Sequence, residues 1–291
     1  MFKNTMKTTV LLASLGGLII AVAGVIGGGS STSLTIGIGI ALLMVGGSYW
    51  FSDKLALKSA GAVVITEADN PEFYGMVQSL AQRAGMPMPR VAVSPSEQPN
   101  AFATGRSPKR AVVCATDGLL RAMPRHEIEA VMAHELMHVK HRDILIGSVA
   151  AAIATAISYV AQMAMFSSMF GGGSDDEDRP NPLAMLLVSL LAPVAAMLIQ
   201  MAVSRSREFE ADRGAAELLG TGEGLATALE RIEVLAVHRP MAIAPAQAQA
   251  YIHNPLAEAR GAQGLKMAKL FSTHPATDER VRRLREFRSA A

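Results

Sequence analysis

The chain has 291 residues, half of them hydrophobic, a mean hydropathy of +0.28 and only 18% charged residues, which excludes an ordinary soluble globule. Its net charge of +2 carries no nucleic-acid footprint, and no nucleic acid is expected as a partner. The one cysteine, Cys114, excludes an internal disulfide and reads, within "AVVCA", as a small core residue.

From Thr8 to Ser52 there is no charged residue. A spanning helix needs about 20 residues, so this stretch is too long for one, and "GGGSSTS" (27–33) divides it into spans at 8–26 and 34–51. Residues 1–51 therefore read as an N-terminal transmembrane hairpin, with Tyr49, Trp50 and Phe51 placed as an interfacial aromatic belt. The basic start and Ala21-Val22-Ala23 resemble a cleavable leader, but the apolar character resumes at once, so a span is expected. Residues 52–143 read as the first part of a catalytic domain. They hold a helix at 70–85, strands at 90–94, 100–105 and 111–116, and a helix from about Arg125 to Arg142. Two further spans, 144–166 and 183–203, form a second hairpin over 144–203, around an acidic loop at 167–182. The competing reading makes these two runs buried core helices. Residues 204–291 complete the catalytic domain: helices at "SREFEADRGAAELL" and "EGLATALERIEVLAV", a stretch broken by Pro240, Pro245 and Pro255, and a basic helix at "DERVRRLREF".

Basic residues set the orientation. Lys3, Lys7, Lys54, Lys58, Lys140, Arg142, Arg205 and Arg207 fall on one side of a four-span arrangement, and Arg179 alone on the other. Both termini and the 125–142 helix are thus expected in the cytoplasm.

That helix carries "HELMH". On an α-helix His138 and His141 both lie within about 40° of His134, yet ligands must also meet at one ion. His134 and His138 are one turn apart, roughly 6 Å of rise, and converge on a zinc; His141 is roughly 10 Å along the axis and does not. Glu135 completes His-Glu-x-x-His, in which two histidines hold zinc and the glutamate acts as general base. The third ligand is sought where the chain returns from the second hairpin. Glu208 and Asp212 in "REFEAD" share one helical face. Alone, such a pair is usually a solvated surface. Here topology brings Glu208 out on the same membrane side as His134, so Glu208 is expected as third ligand and Asp212 as the carboxylate that fixes a ligand imidazole. One zinc per chain follows.

"HELMH", "SREFEAD" and "NAFATG", with four spans in these places, resemble the HtpX family of bacterial membrane-bound metallopeptidases. That family belongs with the prenyl-protein (CaaX) zinc endopeptidases in the larger M48 family. The resemblance covers nearly the whole chain. It implies a mainly α, α+β fold, a multi-span helical membrane protein carrying a gluzincin-like cytosolic zinc protease domain. It implies His134, His138 and Glu208 as ligands, Glu135 as base and Asp212 on His134. It also implies an inner-membrane endopeptidase acting in quality control on unfolded or damaged membrane proteins, with the lipid bilayer as its other partner. "THPATDER" is similar to a His-Pro element of the wider family, which makes His274 a catalytic candidate, and His274 or Arg280 the candidate donor to the developing oxyanion. "NAFATG" reads as an edge strand whose Asn100, Ala101, Phe102 and Ala103 would pair with an extended substrate. Three alternatives stay open: an intramembrane protease, which the charged flanks of the motif disfavour; a zinc-binding scaffold, which has no use for Glu135; and an enzyme restricted to lipidated C-terminal peptides.

Overall fold

Short β-branched and small-residue runs between 63 and 116 build a mixed sheet, and the amphipathic stretches around them supply its helical cover. The structure, a computed structural model, describes residues 6, 13, 16–17, 20, 30–144, 205–238, 251–252 and 275–287. The expected span at 144–166 beyond Ile144, the span at 183–203, the loop 167–182, most of 8–26 and His274 lie outside the described residues.

Four strands, β1 (Val63–Ile65), β2 (Arg90–Ser94), β3 (Ala101–Thr104) and β4 (Val112–Thr116), lie in the order β1-β2-β4-β3. β1 and β3 are antiparallel to their neighbours, and β2 runs parallel to β4. β3 is therefore an outer strand. Its free side is met by Tyr251, which bridges Phe102 antiparallel, and by the Ile252 N–H, which donates to the Ala101 carbonyl at 3.0 Å.

Helix α1 (Ser31–Ser59) is 29 residues long. The boundary expected at 51/52 falls inside it, because "SDKLALKS" holds no Gly or Pro and its end packs on the domain. Leu57 joins Ala92, Phe102, Val112, Cys114 and Tyr251 on one face of the sheet, and Gly61, at φ +58°, turns the chain into β1. The Arg106 guanidinium lies 4.5 Å from the Trp50 ring, and Arg90 pairs with Asp53. Among the described residues, no helix is long and apolar enough to cross a membrane.

α2 (Pro71–Arg83) starts where Asn70 accepts the Phe73 N–H at 3.1 Å, and it buries Phe73, Met76, Val77 and Leu80. α3 (Asp117–Ala122) starts on Thr116, whose hydroxyl accepts the Leu119 N–H. Then come α4 (Arg125–His141), α5 (Arg205–Leu219), α6 (Glu223–His238) and α7 (Thr277–Arg285). α4 is the centre of the domain. It is buried around most of its circumference, and Val131, Met132 and Leu136 are fully enclosed, each worth roughly 1.5–3 kcal/mol of burial. It packs against α5, α6, α2 and β3. Gly214 sets the α4–α5 distance, since a Cβ there would stand 2.8 Å from Met137 Cγ. At the other end Arg231 donates two hydrogen bonds, 2.7 and 3.0 Å, to the buried Glu127, joining α6 to α4. The result is an α+β arrangement dominated by helices.

Candidate metal centre

One turn of α4 separates His134 from His138, and the rings meet edge to face with their Nε2 atoms 3.1 Å apart. The close α4–α5 packing delivers Glu208 to the same point. Its carboxylate oxygens lie 3.8 Å from His134 Nε2 and 3.6 Å from His138 Nε2. Among the described residues these three form the group able to hold a metal ion, their ligand atoms all within 4.8 Å of one another, and His141 is not part of it.

The outer faces of the two rings explain why an ion fits. His134 Nδ1 is 3.0 Å from Asp212 Oδ1, and His138 Nδ1 is 3.4 Å from Asp143 Oδ2. A carboxylate opposite each Nδ1 favours the Nδ1–H tautomer, which we assign from these contacts. With both rings neutral, their Nε2 lone pairs face each other and the Glu208 carboxylate. Three electron-rich donors at that separation are relieved by a cation, and two imidazoles with one carboxylate are the donor set of catalytic zinc.

The electrostatics divide the pair. Burial pushes the His134 pKa down to about 4 against the pull of Asp212, with His138 and Arg280 adding to the fall. Burial also disfavours charge on His138, but Glu208, Asp143 and Glu135 outweigh it and hold that imidazole up at about 9. In the metal-free protein, a proton at neutral pH therefore sits on His138. Asp212 stays below the usual carboxylate range: burial works upward, and Arg280 and His134 overcome it.

Arg280 has a different role from the one its sequence suggests. Its Nε donates to Asp212 Oδ2 at 2.9 Å and its Nη2 to Oδ1 at 2.6 Å, while Nη1 lies 3.8 Å from Glu208. The guanidinium is 2% exposed and engaged by the carboxylate that faces His134, which takes it away from the oxyanion role. α7 is thereby tied to the site. Nη1 also points to the Ile252 carbonyl at 3.5 Å. Glu135 is buried beside the ligands, 2% exposed. Asn100, Ala101, Phe102 and Ala103 run along the outer strand, but Tyr251 and Ile252 already occupy part of its edge, with the Phe102 and Tyr251 rings 4.8 Å apart. Asp143 is a site residue that the spacing of the ligands does not reveal. No sequence signal marks it, because the left-handed terminator after His138 is an arginine and not the usual glycine.

Two histidines and a glutamate close enough to share one ion, with a second glutamate between the histidines, define a metallopeptidase of the two-His-one-Glu type. The chain belongs to peptidase family M48, whose family description matches residues 67–288. It is similar to the protein "Protease HtpX homolog" of Burkholderia mallei (strain SAVP1) and to that of Burkholderia pseudomallei (strain 668). Each is 51% identical over 285 residues, 97% of this chain and 96% of the relative. The crystal structure of S. mikatae Ste24p aligns over 97% of this chain and 65% of that one, at 20% identity and a TM-score of 0.49. The protein is thus a metalloendopeptidase.

Proposed function

We propose that this peptidase works from the cytoplasmic face of the bacterial inner membrane, cutting unfolded or damaged membrane proteins with a single zinc. The observation that carries the reading is the convergence of His134, His138 and Glu208 around Glu135, on a domain into which α1 leads directly. The uncharged run Thr8–Ser52, and the exposed Ile36, Ile38, Ile40, Leu42 and Leu43 of α1, support a lipid environment.

His134, His138 and Glu208 would hold the ion. A bound zinc supplies Lewis acidity, both for ionising water near neutral pH and for polarising the scissile carbonyl. Glu135 accepts the proton of the attacking water and returns it to the leaving amine. Asp212, itself clamped by Arg280, keeps His134 in the Nδ1–H tautomer. With Arg280 so engaged, His274 is the remaining candidate donor to the oxyanion. The outer side of β3 bonds an antiparallel backbone at Ala101, and in this reading an extended substrate takes the place of Tyr251–Ile252 and pairs along Asn100–Ala103. Backbone pairing selects for unfolded chain more than for sequence.

The test is cleavage in proteoliposomes of one membrane protein presented folded and unfolded. Fragments are expected from the unfolded form, with loss of cleavage in chelator and recovery with zinc. Equal cleavage of the folded form, or cleavage of lipidated C-terminal peptides alone, would refute the quality-control reading.

Topology has its own test. Cysteines at Ser174, Lys140 and Ser206 in a Cys114→Ser background report sidedness to an impermeant thiol reagent applied to spheroplasts. Ser174→Cys is expected to label from outside and the other two only after lysis. Labelling of Ser174→Cys only after lysis would show that 144–203 does not span.

A further inference from the structure

The termination of α4 is unusual in one respect. Arg142 adopts a left-handed conformation, φ 60° and ψ 35°, and among the described residues it is the one non-glycine with positive φ. Glycine is the residue that normally fills this place, because a Cβ is strained there. Such an outlier persists where the surrounding structure requires it.

The backbone bonds identify the turn. The Arg142 N–H donates to the Val139 carbonyl at 3.1 Å, and the Asp143 N–H donates to the His138 carbonyl at 2.9 Å. This is the paired pattern of a Schellman motif, with His138 three places before the cap and Asp143 two places after it. The motif sets those two side chains against each other, and the contact is ordinarily apolar. Here the pair is an imidazole and a carboxylate. The turn that ends the helix therefore places Asp143 Oδ2 3.4 Å from His138 Nδ1 and leaves Asp143 only 6% exposed. Arg207, also 6% exposed and one residue ahead of Glu208, lies in the field of the same carboxylate. Asp143 thus faces both the second histidine and the start of the helix that carries the third ligand.

We propose that Asp143 is a positioning residue for His138, holding the imidazole as its Nδ1–H tautomer with Nε2 turned toward His134 and Glu208. It does for His138 what Asp212 does for His134, by a different device: Asp212 comes from a neighbouring helix, Asp143 from the terminator of the ligand helix itself. The strained Arg142 is the link, because without the left-handed residue the chain would not fold back toward His138. This inference rests on reading His134, His138 and Glu208 as zinc ligands.

The experiment is zinc binding alone, by competition with a chromogenic chelator, to the full-length protein in detergent at neutral pH. Wild type, Asp143→Asn and Asp143→Ala are compared, and each is also unfolded thermally in excess chelator. Asp143→Ala is expected to weaken zinc by about 10–100-fold. Asp143→Asn, which keeps an oxygen that accepts the Nδ1–H, is expected to lose less. The unfolding midpoint in chelator is expected to stay at the wild-type value in Asp143→Asn, so that lost affinity is not lost fold. Wild-type affinity in both variants overturns the proposal. So does an affinity loss in Asp143→Asn that is matched by a fall in its metal-free midpoint, since that would make the residue merely structural. Failure of the wild type to bind zinc would overturn the ligand reading itself, and this proposal with it.

Discussion

Glu135→Gln is expected to fold, to bind one zinc per chain and to lose about 10²–10⁴-fold in cleavage rate. The substitution keeps the shape of a side chain of the central helix that is 2% exposed, so it opens no cavity. What it removes is the one function the ligands do not supply. A carboxylate takes the proton of the attacking water and gives it to the amine, whereas an amide has no basicity near neutral pH. Glu135 is not one of the three clustered donors, so metal content is expected to stay at the wild-type level. The measurement is initial rate on an unfolded substrate, with zinc content determined on the same sample. Substantial peptidase activity in a zinc-loaded Glu135→Gln protein would sink the assignment and favour another base.

The parts of this site differ in how far they can be read from residues alone. His134, Glu135 and His138 lie within one turn and a half of a single helix, and helical periodicity is enough to bring them together. Glu208 is seventy positions later, and only the idea that the chain leaves and returns at the same place singles it out from other Glu/Asp pairs. In the structure, the means of delivery visible among the described residues is the α4–α5 contact that Gly214 permits. Asp143 and Arg280 are hidden for a different reason. One depends on a left-handed residue that the sequence writes as arginine, where glycine would have been the signal. The other depends on where α7 docks, which no periodicity encodes; the sequence offers Arg280 as an oxyanion donor, and only the docked helix shows it clamped on Asp212.

The sheet shows the same division. β2, β3 and β4 follow their apolar runs closely, because these residues are buried and small or branched side chains pack there. β1 has no signature in the sequence. It has only three residues, its burial is slight, and it exists through pairing with β2 and not through a pattern of its own. The continuation of α1 past Phe51 is also unmarked in the sequence. A hydropathy boundary is a change of solvent, not of backbone conformation, and the helix has no reason to stop there until Gly61.

Removing a ligand is expected to act on the metal before it acts on the chemistry. His134→Ala, His138→Ala and Glu208→Ala should each abolish stoichiometric zinc, a larger loss than the roughly 100-fold ceiling of changes one layer further out. His141→Ala should retain zinc, since His141 is outside the cluster of ligand atoms. Proton release gives an independent check on His138. With its pKa held at about 9, this imidazole is protonated at neutral pH in the metal-free protein and must lose that proton to offer Nε2 to an ion. Zinc binding at pH 7 is therefore expected to release a proton, and affinity should rise with pH until about 9. The fold without metal responds in the opposite direction. A pKa raised from 6.5 stabilises the native state fully below 6.5, and that contribution is lost as pH rises through about 9. Calorimetric titration with zinc in two buffers of different ionisation heat measures the released proton, and unfolding in chelator across the same pH range measures the second effect. Metal loss in His141→Ala alongside normal loading of Glu208→Ala would overturn the ligand set. Affinity independent of pH between 7 and 9 would show instead that the proton resides elsewhere than on His138.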